Sequence, residues 1–460
     1  MSQLNPVQTG IAICVIIWIT VITIILMKHW QKKTETSGFT FIYITNLVLI
    51  HLIAAFGYIL PSNWKGNEAL MLEGFRESTY AIVAFGLGNV ILAPFFVRSF
   101  SLPELKENIN MDEAKLISQL PRLYFIAGAV FYFILAPNLY FPTITVLVTM
   151  GAQLIVVGIC LLIWKAWREK NMIKLRNLLI LSLIFPFVSI IRDGYLGYGA
   201  GMTIIIFIFT ISFFRIKSRA LIIGAFCIYL GLSFYQVYMR DREELRGLAW
   251  GGASFDKRIK ALSATLSNPE WFNPLNSTHI ERIEERINQN ILIGSAVEYL
   301  QSGGNKYAYG KTLWEALVAL IPRIFWREKN IFAGSGNIVS EYTGLVFSED
   351  TSVGVGQIME FYINFGRSGV IIGFLVLGII IAIIDFKSGH YLIIYDLRKF
   401  ALWFLPGIAF CNVGGSLVEL TSSAGASVIV AYFVSKLKGI HYRLLLLSLF
   451  LYLIMRYLIQ

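Results

Sequence analysis

The stretch that decides the fold is "LLILSLIFPFVSIIRDGYLGYGAGMTIIIFIFTISFF", Leu178 to Phe214. It is 37 residues of nearly continuous apolar chain, interrupted by Arg192 and Asp193. As one helix it would run about 55 Å, nearly twice the hydrocarbon thickness of a bilayer. Its flanks, 165–176 and 215–219, are both basic, and short basic loops mark the cytoplasmic side. The stretch must therefore go out and come back. "RDGYLGYGAG" carries four glycines in ten residues and can make the reversal. The spacing predicts a first arm over 178–191, which places Arg192 at or slightly below the external surface. A charge at that depth is costly and tends to be functional. Two readings stand: a capping and snorkelling pair with Asp193, or a fixed cation aimed at an anion carried by lipid.

The rest of the chain reads the same way. Of 460 residues, 56% are hydrophobic and only 15% charged, where a soluble protein carries roughly a quarter charged. This predicts an all-α polytopic membrane protein. Spans are expected near 9–27, 39–60, 80–97, 123–136, 143–164, 178–191, 198–214, 220–238, 370–386, 400–414, 423–435 and 444–458. That makes eleven or twelve helices, the last short enough to lie in the interface. Alternate short loops hold 21 Lys and Arg against three. The richer set is cytoplasmic, so the amino terminus is expected outside, with no cleavable signal. The net charge of +11 then belongs to cytoplasmic loops, not to a nucleic-acid surface. Cys14, Cys160, Cys227 and Cys411 lie in apolar runs and read as buried hydrophobes. The five histidines show no metal-ligand spacing, so no metal site is expected.

Three parts follow: a membrane bundle over 1–238 of about eight helices, a large external segment over 239–369, and a second bundle of three or four helices over 370–460. The external segment holds 14 Lys and Arg and 15 Asp and Glu. Its length predicts a folded, mostly helical unit. In "STHIERIEERINQNILIGSAVEYL", Thr278 and Glu281 have capping-box spacing, and Ile280, Ile283, Ile287 and Ile291 follow a helical period. Its charged face is solvated, or else His279 or Arg282 points into a site. In "YAYGKTLWEALVALIPRIFWREKN" an apolar helix too short to span is followed by Pro322, then Arg323, Trp326, Arg327 and Lys329. That pattern describes a re-entrant or interfacial element near 311–326, either anchoring at the headgroups or forming a cationic pocket. Glu360, just before the next span, suits proton transfer or an ion pair with an arginine.

These residues together resemble the Wzy-type O-antigen and capsule repeat-unit polymerases, relatives of the O-antigen ligases. The resemblance rests on many spans with one large late external loop, on the arginine of "IIRDG", on "YGKTLWEALVALIPRIFWREK", and on "EFYINFGRSG" opening the next span. It implies a GT-C-like fold in the bacterial inner membrane with the large loop periplasmic. It implies an inverting glycosyltransferase that moves a glycan en bloc from undecaprenyl pyrophosphate to a lipid-linked repeat unit, with no cofactor and no nucleotide. A chain-length regulator and a flippase would be its partners. Under that resemblance Arg192, Arg323, Lys329 and Arg282 would hold pyrophosphate. Glu360, with His279 as runner-up, would be the base, and Tyr195, Tyr198 and Trp326 would touch sugar or prenyl chain. The competing classes are an O-antigen ligase, which shares the chemistry, a transporter or flippase for lipid-linked sugars, and a membrane O-acyltransferase, for which His51 is the one histidine within a predicted span.

Overall fold

A computed structural model describes residues 5–31, 36–59, 67–98, 111–138, 142–214, 218–321, 326, 335–347 and 353–436. Every regular element among them is helical. Among the described residues, eight helices are long and apolar enough to cross a membrane: α1 (Pro6–His29), α2 (Phe39–Ile59), α3 (Glu68–Val97), α4 (Ser118–Leu135), α5 (Ile144–Arg168), α6 (Met172–Asp193), α15 (Gln357–Ile393) and α17 (Leu417–Lys436). The other expected spans correspond to α7 (Leu196–Ile211), α8 (Ser218–Arg240) and α16 (Leu397–Phe410). Both α7 and α16 are short, and α16 stops at the glycine-containing turn Cys411–Ser416. The expected span at 444–458 lies outside the described residues.

The apolar helices sort their residues between two solvents. On α1, Ile13, Ile16, Ile19 and Ile24 face outward, while Ile11, Trp18 and Ile25 are buried. A helix apolar on all sides belongs against lipid on one face and protein on the other. The centre is aromatic: Phe39 of α2 meets Phe404 of α16 at 4.7 Å, and Phe209 of α7 meets Phe404 at 5.5 Å. Cys14, Cys160 and Cys411 are buried as expected, but Cys227 is exposed on α8.

Between the two bundles the chain forms α9 (Arg242–Trp250), α10 (Phe255–Ser267), α11 (Ser277–Ile287), α12 (Asn290–Gln301), α13 (Lys311–Ala319) and α14 (Ser335–Thr343). These pack against one end of the spanning helices: α9 and α10 on α6, α11 on α2, α12 on α3, α13 on α17. The α3–α12 crossing is close because Gly74 and Gly294 face each other's helices. A Cβ on Gly74 would sit 1.8 Å from the Asn290 carbonyl oxygen. The start of α3 explains that contact and corrects the expected span at 80–97: the helix begins twelve residues earlier, at Glu68, where α12 packs across its first turns at Gly74.

A π-turn at Val48–Leu52 in α2 ties down the entry to α12. Such a turn frees backbone carbonyls. The Ile50 carbonyl accepts the Gln289 N–H (3.2 Å), and the His51 carbonyl accepts the Asn290 side-chain amide (2.8 Å). Asn290 Oδ1 in turn accepts from His51 Nδ1 (2.9 Å) and from the Ser78 hydroxyl (2.8 Å). Asn290 and His51 are buried, so His51 works as a structural hub.

Candidate functional site

The reversal after Arg192 is observed. Helix α6 ends at Asp193, Gly194 takes a left-handed conformation (φ 71°), and α7 starts at Leu196. The first arm is the 22-residue Met172–Asp193, longer than the 178–191 predicted. The basic, asparagine-capped start at Met172–Arg176 is part of the helix: Asn171 Oδ1 accepts the Lys174 N–H at 3.0 Å.

Four elements hold the tip. Arg258 of α10 donates to the Ile191 and Arg192 carbonyls, both at 3.3 Å. Trp250 Nε1 of α9 donates to the Asp193 carbonyl (3.1 Å), and the Tyr238 hydroxyl of α8 to the Gly194 carbonyl (2.8 Å). The orphan carbonyls at the end of α6 are thus met by side chains. Arg192 itself lies with its guanidinium carbon 3.9 Å from the Tyr132 ring centre, inside cation–π range. Its Nη1 is 3.6 Å from Asp193 Oδ2, which accepts the Tyr132 hydroxyl at 2.9 Å. Tyr132 sits in a π-turn of α4 (Phe131–Leu135) and stacks on Tyr198 at 5.4 Å. Tyr195, exposed, packs under Arg246 (4.2 Å) and beside Trp250 (5.5 Å). Burial holds the Arg246 guanidinium below its ordinary value, and the charge of Arg242 adds to that.

Running from this polar tip is an apolar cavity between α4, α5, α6 and α7. Phe125, Tyr132, Leu181, Phe185, Tyr198 and Met202 line it. The Tyr198 hydroxyl is buried there with no hydrogen-bond partner among the described residues.

Two other predicted site residues form a separate clamp. His279 is buried, with Nε2 2.7 Å from Glu270 Oε1 and Nδ1 accepting the Asn273 N–H at 3.0 Å. Arg282 Nη1 donates to the same Glu270 oxygen at 3.0 Å, and Arg240 lies 3.7 Å from the other. Burial raises the Glu270 carboxyl, but the hydrogen bonds from His279 and Arg282 outweigh it and hold it below the ordinary carboxylate range. The paired Arg240 holds Asp241 down in the same way. The expected capping box is replaced: Asn276, not Thr278, caps α11, its Oδ1 accepting the Thr278 N–H at 3.0 Å.

Glu360 lies elsewhere again, at the start of α15. It is fully buried, and Oε2 accepts the Leu417 N–H at the amino terminus of α17 (2.6 Å). Its Oε1 has no hydrogen-bond partner among the described residues. The neighbouring backbones are clasped: Gly356 N–H donates to Gly414 (3.2 Å) and Gln357 N–H to Val413 (3.1 Å). Trp326 is exposed, while Arg323 and Lys329 lie outside the described residues. No hydrogen bond, ion pair or ring contact among the described residues joins the Arg192, Glu270 and Glu360 groups.

The sequence reading missed three charged pairings. Glu77 of α3 is fully buried against Arg367 of α15, whose Nε and Nη2 lie 2.9 and 2.8 Å from the same Oε1. Asp385 of α15 accepts the N–H groups of Ser37 (2.8 Å), Gly38 (2.9 Å) and Phe39 (3.2 Å) at the start of α2. Glu270 gathers the clamp around His279 and Arg282. The available signal was the occurrence of single acids at the edges of apolar runs, which gives no partner.

A family model described as "Domain of unknown function (DUF8712)" matches residues 103–402. The chain belongs to this family. The DUF8712 match runs from before α4 into α16 and includes Arg192, Glu270, His279, Arg282, Glu360, Arg367 and Asp385. It leaves out α1–α3 and α17, and with them Glu77 and Leu417. No curated protein and no solved structure matches the chain.

Proposed function

We propose that this chain is a GT-C-like, multi-pass glycosyltransferase that polymerises lipid-linked oligosaccharide repeat units. It would act at the periplasmic face of the bacterial inner membrane, taking a glycan from undecaprenyl pyrophosphate and passing it to the non-reducing end of a second lipid-linked unit. The observation that carries the reading is Arg192, held over the ring of Tyr132, a residue that also lines an apolar cavity. A fixed cation above a hydrocarbon-lined cleft matches a lipid with an anionic head. The loop count supports the periplasmic orientation.

In the reaction, an acceptor hydroxyl loses its proton and its oxygen attacks the anomeric carbon. The bond from that carbon to the pyrophosphate oxygen breaks, and the lipid pyrophosphate leaves with the electron pair. Charge grows on the leaving group, so a preset arginine stabilises the transition state more than the ground state. Arg192 has that role, with Arg323 and Lys329 as the further cations of the proposal. Arg282 is tied to Glu270 and fits a structural part better. Glu360 suits the base: one oxygen is anchored by the α17 amino terminus and the other has no hydrogen-bond partner among the described residues. His279 has both ring nitrogens engaged, which makes it the weaker candidate. Tyr198 and Tyr132 would meet the prenyl chain.

Deletion of the gene, followed by surface glycan on a gel, tests this. A polymerase defect leaves core plus one repeat unit; a ligase defect leaves bare core and lipid-linked polymer. Loss of both forms points to a transporter, a reading that the non-helical step at Phe365 and Gly366 inside α15 also supports, since transporters use discontinuous helices. Filling the cavity with Met202→Trp should weaken activity while protein level holds, and an unaffected ladder would remove the cavity from the mechanism.

A further inference from the structure

A second polar centre lies where α15 breaks. Phe365 and Gly366 leave helical geometry, and Gly366 takes φ 61°, ψ −151°, a region essentially reserved for glycine. The loop before α13 is fastened to this break. Ala308 N–H donates to the Ile363 carbonyl (2.8 Å), and Gly310 N–H to Asn364 Oδ1 (2.9 Å). Between them Tyr309 is held at φ 45°, an outlier for a bulky residue, and the residue is 73% exposed. Tyr307 lies 6.3 Å from both Tyr309 and Tyr362. Gln301 Nε2 reaches the Tyr362 hydroxyl at 3.4 Å. Beside Tyr362 is the Glu77–Arg367 pair, with Arg367 4.6 Å above the Tyr80 ring. Arg367 spends both contacts on Glu77 Oε1, and Oε2 is buried with no partner among the described residues.

We propose that Glu77, Arg367, Tyr309, Tyr307 and Tyr80 form a binding site for a glycosyl unit. Aromatic rings offer flat apolar faces for the C–H side of a sugar. The exposed guanidinium of Arg367 supplies charge-assisted hydrogen bonds to its hydroxyls, and Glu77 beneath it keeps one oxygen with no partner among the described residues. The combination suits a neutral polyhydroxylated ring better than a phosphate, because Arg367 is already neutralised by Glu77. The identity of the sugar rests on the glycosyltransferase reading; the existence of the site does not.

The test uses the full chain in nanodiscs of neutral phosphatidylcholine. The probe is oligosaccharide released by partial acid hydrolysis of the host's own surface polysaccharide, followed by saturation-transfer NMR titration. Binding is expected in the wild type and in Arg192→Ala. It should weaken at least tenfold in Tyr309→Gly and in Glu77→Gln. Tyr309→Gly removes the ring while suiting the positive φ, so it keeps the test open should Glu77→Gln fail to fold. Wild-type affinity in Tyr309→Gly, no binding by the wild type, or a loss confined to Arg192→Ala would each overturn the assignment. Intact sugar binding beside an unchanged glycan ladder in the deletion strain would instead sink the polymerase reading and leave this site standing.

Discussion

Replacing Asn290 by alanine should loosen the external helices from the bundle without touching any group proposed to react. The side chain takes part in three buried hydrogen bonds: from Ser78, from His51 Nδ1, and to the His51 carbonyl. Ser78 keeps an alternative, since its hydroxyl also reaches the Gly74 carbonyl at 2.9 Å. Two groups are then orphaned, the His51 ring nitrogen and the π-turn carbonyl. Each buried group left unpaired costs about 1–3 kcal/mol, giving about 2–6 kcal/mol in all. Against a net stability of about 5–15 kcal/mol that is a large fraction. The unfolding of a chain this size is often irreversible, so the assay is amide hydrogen exchange. The opening free energy of α12 should fall by that amount, while α5, remote from the contact, should be unchanged. Ser78→Ala should lower it by no more than about 1 kcal/mol. A change below about 1 kcal/mol in Asn290→Ala would refute the reasoning, because it would mean the π-turn carbonyl finds another partner.

Further outcomes follow from other sites. Arg192→Ala should reduce glycan transfer roughly 100-fold or more, the scale of a lost transition-state donor; Arg192→Lys should also be impaired if the planar fork matters, and a normal ladder from the alanine variant would remove Arg192 from the chemistry. Gly366→Ala should lower the thermal midpoint through about 1–3 kcal/mol of backbone strain, since a Cβ there would have ordinary room beside Tyr307 at 3.6 Å; an unchanged midpoint would contradict the strain. The Glu270 and Asp241 carboxyls are held low in the folded state, so their stabilisation is present above the ordinary carboxylate range and is lost as pH falls through the lowered values. Glu270→Gln should flatten the acid limb of a midpoint-against-pH curve, and a parallel curve would exclude that role.

The hairpin at Arg192 was legible because length and glycine content leave one geometry for the run at 178–214. The same logic placed most spans. It failed at Glu68–Thr79, where Glu73, Arg76 and Glu77 read as a loop. Those turns are helical because α12, more than two hundred residues later, lies across them through Gly74 and Gly294. Periodicity reports one helix against its surroundings; it does not report which distant segment supplies them. Glu360 was picked out by its position before a span, but its partner is a backbone N–H, and backbone groups carry no signature in sequence. His279 and Arg282 were correctly placed on a helix, while their shared acid, Glu270, sits in an irregular stretch before it. Arg323 and Lys329 lie outside the described residues.

The polar contacts of α15 bear on how the molecule divides. Arg367 is neutralised by Glu77, Glu360 is received by Leu417, and Asp385 is received by Ser37, Gly38 and Phe39. All three α15 residues fall within 103–402, and every one of those partners falls outside it. A fragment trimmed to the family boundaries would therefore carry two severed buried carboxyls, Glu360 and Asp385, expensive to leave bare in a low-dielectric interior, and an unpaired Arg367 at its surface. The stretch that identifies the family is not an autonomous folding unit. Its cooperativity is shared with the first three helices and the one at Leu417–Lys436, and co-expression of those flanks should be needed to recover it.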